Sequence, residues 1–137
     1  MRRCFKWLRL YIDGYKRPET CEDSILSTTT YAMPNELVSA TSQYLLDHAN
    51  DLVEWQEWGE AALEVARSAN KPILLTIGYR GCRGCEAMAR ESFCNPSVAA
   101  VMNEHFINIK VDRDERPDLD KVYQSALQLI VPKSGGW

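Results

Sequence analysis

Residues Lys71 to Phe93 read KPILLTIGYRGCRGCEAMARESF. A short apolar run, Pro72 to Ile77, is broken by Gly78 and Gly81, and Cys82 and Cys85 then open a segment with helical spacing. The order is strand, turn, CxxC, helix. Such a turn delivers two sulfurs to a helix start, where unpaired N–H groups favour negative charge, so the first thiol is expected to ionise more easily than a free one. Cys85 lies three residues on, on the same face of the first turn, where it can attack a mixed disulfide formed at Cys82 and release the partner. The pair therefore divides into a nucleophile, Cys82, and a resolving thiol, Cys85.

On either side of this stretch the pattern alternates helix and strand. From Glu57 to Asn70, Trp58, Ala62, Val65, Ala66 and Ala69 fall on one helical stripe while Glu57, Glu60, Glu64 and Arg67 mostly fall off it. Asn70 and Pro72 end that helix. The strand Ile73 to Ile77 lacks polar alternation, as expected of a parallel strand covered on both faces. Asn95 and Pro96 form a helix start, with Val98, Val101, Met102 and His105 continuing one face. FINIKV, Phe106 to Val111, is a second strand in which β-branched residues alternate with Asn108 and Lys110. Two strands joined by a helical connection make a right-handed βαβ unit and hence a parallel pair. The CxxC then sits at the C-terminal end of the first strand, where α/β folds place their chemistry. DRDERPDLD, Asp112 to Asp120, reads as a solvated loop, because Arg113 and Arg116 would repel a metal and the spacing is not that of an EF-hand. Leu119, Val122, Tyr123, Ala126 and Ile130 mark a third core-facing helix.

Upstream the character changes. Residues 1–33 form an N-terminal extension, read as poorly ordered or as a short helix. Its basic, amphipathic opening also suits an organelle-targeting leader, but Lys6 and Arg9 interrupt any secretory apolar core. The partial domain runs from 34 to 137, with Pro34 at the boundary. Asn35 to Trp58 has no clean period and reads as an irregular or short-helical arm. Trp55 and Trp58 each offer ~150 to 250 Å² for burial, so the arm should pack on the domain that follows. His48, with no identifiable partner, is expected to be a structural hydrogen-bonder.

The totals exclude several classes. The 137 residues, 45% of them hydrophobic, suit one globular domain with a sizeable core. Sixteen basic against nineteen acidic residues, a net charge of -3, argue against a nucleic-acid partner. No apolar run approaches the ~20 residues of a membrane span. Five irregularly spaced cysteines are unlike the even framework of a disulfide-stapled secreted domain, so a reducing, cytoplasmic location is expected. No phosphate-binding glycine loop, nucleophile triad or sugar-site carboxylate pair is present, and no cofactor is expected.

With these stretches in hand, Asn35 to Trp137 resembles the thioredoxin-like N-terminal domain of the spermatogenesis-associated protein 20 family. SQYLLDHANDLVEW (Ser42 to Trp55), WGEAALEVARSANKPILLTIGY (Trp58 to Tyr79), the CxxC with MARESF (Met88 to Phe93), NIKVDRDERPDLDKVY (Asn108 to Tyr123) and the terminal GGW carry the resemblance. It implies an α/β thioredoxin-like fold that is incomplete here: a βαβ half with an N-terminal helical arm, lacking the C-terminal β-hairpin and last helix. It also implies that a helical toroid domain normally follows, so the chain is expected to be a fragment or truncated product, marginally stable alone. Family members commonly carry His and Trp between the cysteines, whereas this chain has Arg83 and Gly84. The guanidinium should favour thiolate at Cys82.

Three uses of the cysteines compete. The first is thiol–disulfide exchange with a dithiol or disulfide protein partner, through Cys82 and Cys85. The second is a zinc site built from Cys82, Cys85, Cys94 and His105, against which stands the lack of a second CxxC. The third is a non-catalytic module whose aromatic arm, Tyr44 to Trp58, docks onto a helical partner domain.

Overall fold

A computed structural model of the chain describes residues 35–132. The extension 1–33 and the terminal GGW lie outside the described residues.

The arm has more structure than its aperiodic sequence suggests. Asn35 caps a 3-10 turn, Glu36–Ser39, by accepting from Leu37 N, and its amide donates to the carbonyls of His48 and Val53 at 3.0 and 3.1 Å. One side chain thus ties both ends of the arm together. Ser42 caps the single-turn helix α1, Gln43–Leu46, and the chain then runs into a three-residue strand, β1, Trp55–Glu57. So short a strand shows no alternation to read, and β1 is the element the sequence hid.

Helix α2, Glu60–Ala69, ends on Asn70 in the left-handed conformation (φ 51°), a C-terminal signal visible in the sequence. It buries Ala62 and Ala66, whereas Val65 is exposed. Strand β2, Ile73–Gly78, leads to α3, Arg83–Met88, which widens into a π turn, Ala89–Phe93. Asn95 caps α4, Pro96–His105, accepting from the N–H groups of Ser97 and Val98, with Pro96 in the first turn. Strand β3, Ile107–Asp112, and helix α5, Pro117–Ile130, complete the described chain.

The sheet order is β1-β3-β2, all parallel, with Trp55 opposite Asn108 and Thr76 opposite Lys110. This mixed α/β arrangement is a thioredoxin-like fold. No antiparallel hairpin or further helix follows α5 among the described residues. The central position of β3 reverses the expectation of which strand is most covered. Among the described residues β2, apolar but for Thr76, is an edge strand, half-buried along most of its length, while β3, with Asn108, Lys110 and Asp112, is buried at every position after Ile107. An apolar strand reads as central, yet edge position is set by pairing, which composition does not encode.

The two faces of β3 differ in kind. Ile109 and Val111 pack with Ala62 of α2, Leu75 and Ile77 of β2, and Leu119 of α5. The opposite face lies under a larger cluster that includes Tyr44, Trp55, Phe93, Met102, Cys82 and Cys85. The large rings of the arm are therefore spent inside this domain: Tyr44 and Trp55 are buried, Trp55 edge-on to Phe93 at 4.8 Å. Trp58 meets Tyr123 of α5 at 6.3 Å. This fulfils the expectation that the arm packs on its own domain. Helix α5 corrects its expectation of a core-facing stripe. It has no fully buried residue, and Val122, Leu129 and Ile130 are exposed. Leu119, which packs on the Ile109 and Val111 face of β3, and Tyr123, which meets Trp58, are its members in these clusters and ring pairs.

Candidate functional site

At the C-terminal end of β2 the chain leaves the sheet through a tight turn. Cys82 N donates to Tyr79 O at 3.2 Å across the turn, and Gly81, at φ +87°, occupies the position of a type II turn that a side chain disfavours. The turn sets Cys82 as the cap of α3, its sulfur accepting from Cys85 N at 3.2 Å. The two sulfurs are joined as a disulfide, with Cα atoms 5.2 Å apart. Both are buried, Cys82 5% and Cys85 8% exposed.

Beneath them the arm and the sheet close in. A Cβ added at Gly78 would collide with the Tyr44 hydroxyl and, at 2.9 Å, with Cys85 Sγ, so ring and sulfur share the space over one bare Cα. Gly78→Ala should therefore cost about 2 kcal/mol through overpacking. A fall in the urea midpoint with an unchanged slope would show it, and an unchanged midpoint would mean that Tyr44 swings clear at no cost.

The polar groups of this region are buried and mostly spoken for. Ser42 Oγ donates to Asp112 Oδ2 at 2.5 Å while accepting from Leu45 N, so the cap of α1 also pins the end of β3. Asp112 Oδ1 takes Asp114 N at 2.9 Å. Asp51 Oδ2 lies 2.8 Å from His48 Nδ1 and accepts from Trp55 Nε1 at 2.9 Å. His48 thus holds the structural role expected of it. Asn108 donates to Asn103, which also holds the backbone of Leu52 and Glu54. Tyr44 Oη, Asn108 Oδ1 and Lys110 Nζ are the exceptions, all buried without a hydrogen-bond partner in the described structure. Burial, reinforced by Asp112 and Asp51, pushes the Tyr44 phenol well above its ordinary value. Burial pushes the Lys110 ammonium down to about 8, with Asp51 pulling the other way. Sequence reasoning passed over Lys110, reading it as the polar phase of an alternating strand.

The zinc set does not assemble. Among the described residues no group of three or more His, Cys, Asp or Glu side chains is arranged to hold a metal. Cys82 and Cys85 are bonded to each other, Cys94 is buried after the π turn with a partner of its own, and His105 ends α4 in solvent. The π turn and the reversal into α4 carry Cys94 and His105 into different surroundings from the CxxC.

A parallel sheet carrying a CxxC disulfide between strand and helix defines a thioredoxin-like domain. Residues 34–137 match the family Thioredox_DsbH, described as "Protein of unknown function, DUF255", and the chain belongs to it. It is 45% identical over 111 residues to spermatogenesis-associated protein 20 of Homo sapiens, covering 81% of this chain and 14% of that protein. It is 46% identical over 103 residues to the Mus musculus protein of the same name, covering 75% and 13%. An uncharacterized protein of Caenorhabditis elegans is 45% identical over 115 residues, 82% of this chain and 15% of that one. The chain thus spans about one seventh of the length of these relatives. Among the described residues no helix is long and apolar enough to cross a membrane.

Proposed function

We propose that this domain is a thiol–disulfide oxidoreductase in which Cys82 attacks and Cys85 resolves. The observation that carries the reading is the reversible chemistry available to a Cys82–Cys85 pair bridging the first turn of α3 at the exit of a parallel strand. In the reduced domain the Cys82 thiolate attacks one sulfur of a partner disulfide. A Cys82–partner bond forms, and the other partner sulfur leaves as thiolate and takes a proton. Cys85 then loses its proton and attacks Cys82 Sγ. The intramolecular disulfide forms, and the second partner sulfur departs with both electrons. The partner is reduced and the domain oxidised, and a second dithiol must reduce the domain to close the cycle. The backbone N–H of Cys85, which points at Cys82 Sγ, favours the thiolate throughout.

Insulin disulfide reduction followed by turbidity is the test. Cys82→Ser should abolish it, and Cys85→Ser should accumulate a mixed disulfide at Cys82. Equal turbidity from wild type and Cys82→Ser would end the proposal.

The burial of both sulfurs favours a second reading, a non-catalytic module in which the disulfide clips the turn to α3. The two differ in access. The oxidoreductase must open the turn around Gly81 to admit a partner, whereas a clip keeps its sulfurs covered and gains nothing from reduction.

A further inference from the structure

Lys110, at the centre of the buried polar row on β3, has no part in the thiol chemistry above. It is 1% exposed and points into the cysteine-bearing cluster. Its Nζ has no hydrogen-bond acceptor in the described structure and lies 4.6 Å from the Trp55 ring centroid, 4.8 Å from that of Phe93 and 5.3 Å from that of Tyr44. Of its neighbours in the row, Asp112 accepts from the Ser42 hydroxyl and Asn108 donates to Asn103 while its own Oδ1 stays without a partner; the cation of the row has ring faces for neighbours. A buried ammonium gripped only by rings keeps part of its charge uncompensated, because cation–π contacts replace hydration incompletely. Tyr44 leads from that charge towards the sulfurs: one of its faces meets Lys110, and its hydroxyl and Cys85 Sγ both lie over the bare Cα of Gly78, within the cluster that holds Cys82 and Cys85.

We propose that Lys110 is a positioning residue for the redox pair, a buried cation that favours thiolate in the reduced domain and holds its proton less tightly once the disulfide has formed. The inference rests on the oxidoreductase reading for its purpose. Reduction adds two electrons to the disulfide and turns two neutral sulfurs into a thiolate and a thiol, taking up one proton. The new negative charge lies beyond the Tyr44 ring from Nζ, in surroundings of low dielectric where charges act across several ångströms. At pH values above about 8, where the oxidised domain holds Lys110 mostly neutral, reduction should draw a second proton onto Nζ. Of the other titratable groups, Tyr44 of α1 lies against Nζ and Asp51 acts on it, His48 stands against Tyr44 and Asp51, Asp112 acts on Tyr44 from the end of β3, and Cys82 and Cys85 share the apolar cluster. Of these only the cysteines change charge with redox state, so the effect is assigned to them. Coupling is reciprocal: if the ammonium stabilises thiolate, thiolate stabilises the ammonium by the same amount.

Reciprocity supplies a test on the unaltered chain. With 15N-labelled lysine, Lys110 should titrate about one pH unit higher in the dithiol-reduced protein than in the oxidised protein. Separately, the reduced Lys110→Met variant, close to lysine in shape and without charge, should lose reactivity to iodoacetamide at Cys82 about tenfold at neutral pH, read by mass on the Cys82 peptide. Lys110→Arg, where the helical circular dichroism is kept, should restore it. An identical Lys110 titration in both redox states overturns the proposal whether or not any variant folds. Neither measurement uses turnover. A domain that fails to reduce insulin but shows coupled Lys110 and Cys82 titrations loses its proposed activity and keeps this device.

Discussion

Trp55→Ala should abolish the cooperative unfolding transition of the domain. Trp55 is wholly buried on β1, and removing so large a side chain costs about 3 to 5 kcal/mol in transfer and cavity terms alone. Three further losses follow from its particular contacts. Asp51 Oδ2 loses the indole donor, leaving a buried carboxylate one hydrogen bond short. Phe93 loses its edge-to-face partner, and Lys110 loses the nearest of its three rings. These terms are not additive, since the same ring makes all of them. A total of about 5 kcal/mol is nevertheless comparable to the whole stability of an ordinary small domain. Urea unfolding followed by circular dichroism should show a broad, non-cooperative drift. Trp55→Phe keeps a ring over Lys110 and drops only the indole N–H, and should cost about 1 to 2 kcal/mol. A Trp55→Ala protein with a sharp transition close to wild type would mean that the arm is an ornament rather than part of the core.

That the arm belongs to the core was legible only in part. The tryptophans announce burial by size, and Asn95 with Pro96 announces a helix start, whereas the caps Asn35 and Ser42 lie in a stretch without a period that read as irregular or short-helical. The strand–CxxC–helix order and the second strand were equally plain, because glycine, proline and periodicity are local signals. Three features were not local. Which strand lies in the middle depends on β1, whose three residues carry no period. How far α5 is covered depends on what the rest of the fold lays over it, so its apolar stripe promised more burial than it has. The burial of Lys110 depends on both: in FINIKV the alternation marks two faces correctly, but a charged residue is assigned to water by default. Here the arm folds over that face and the default fails. The sequence thus named the two sulfurs and missed the charge beneath them, because covalent chemistry is written in residue type and desolvation is written in tertiary packing.

The pH dependence of stability isolates that charge. Burial holds the Lys110 ammonium at about 8 in the folded, oxidised domain, against 10.5 for an unconstrained lysine. Below about pH 8 both folded and unfolded chains carry the proton, and the folded chain bears the full cost of burying it. Between about 8 and 10.5 the unfolded chain still binds a proton that the folded chain has released. Stability therefore rises with pH across this window, the reverse of the trend for a lysine stabilised by an ion pair. Tyr44 limits the gain from above. Its phenol is held protonated in the fold beyond the ordinary value of 10.0, so past that point the unfolded chain loses the proton first and stability falls again. The oxidised domain should gain about 2 kcal/mol between pH 8 and 10 and decline thereafter, the three rings holding back part of what desolvation alone would give. Lys110→Met removes the titrating group while filling nearly the same volume, so its profile should be flat across the window. At neutral pH it should be about 1 to 2 kcal/mol more stable than wild type, as when a buried charge gives way to a well-packed apolar residue. Guanidinium unfolding at several pH values measures both. If Lys110→Met keeps the rise between pH 8 and 10, another group carries the proton, and the ammonium under the sulfurs is better solvated than its surroundings of three aromatic rings allow.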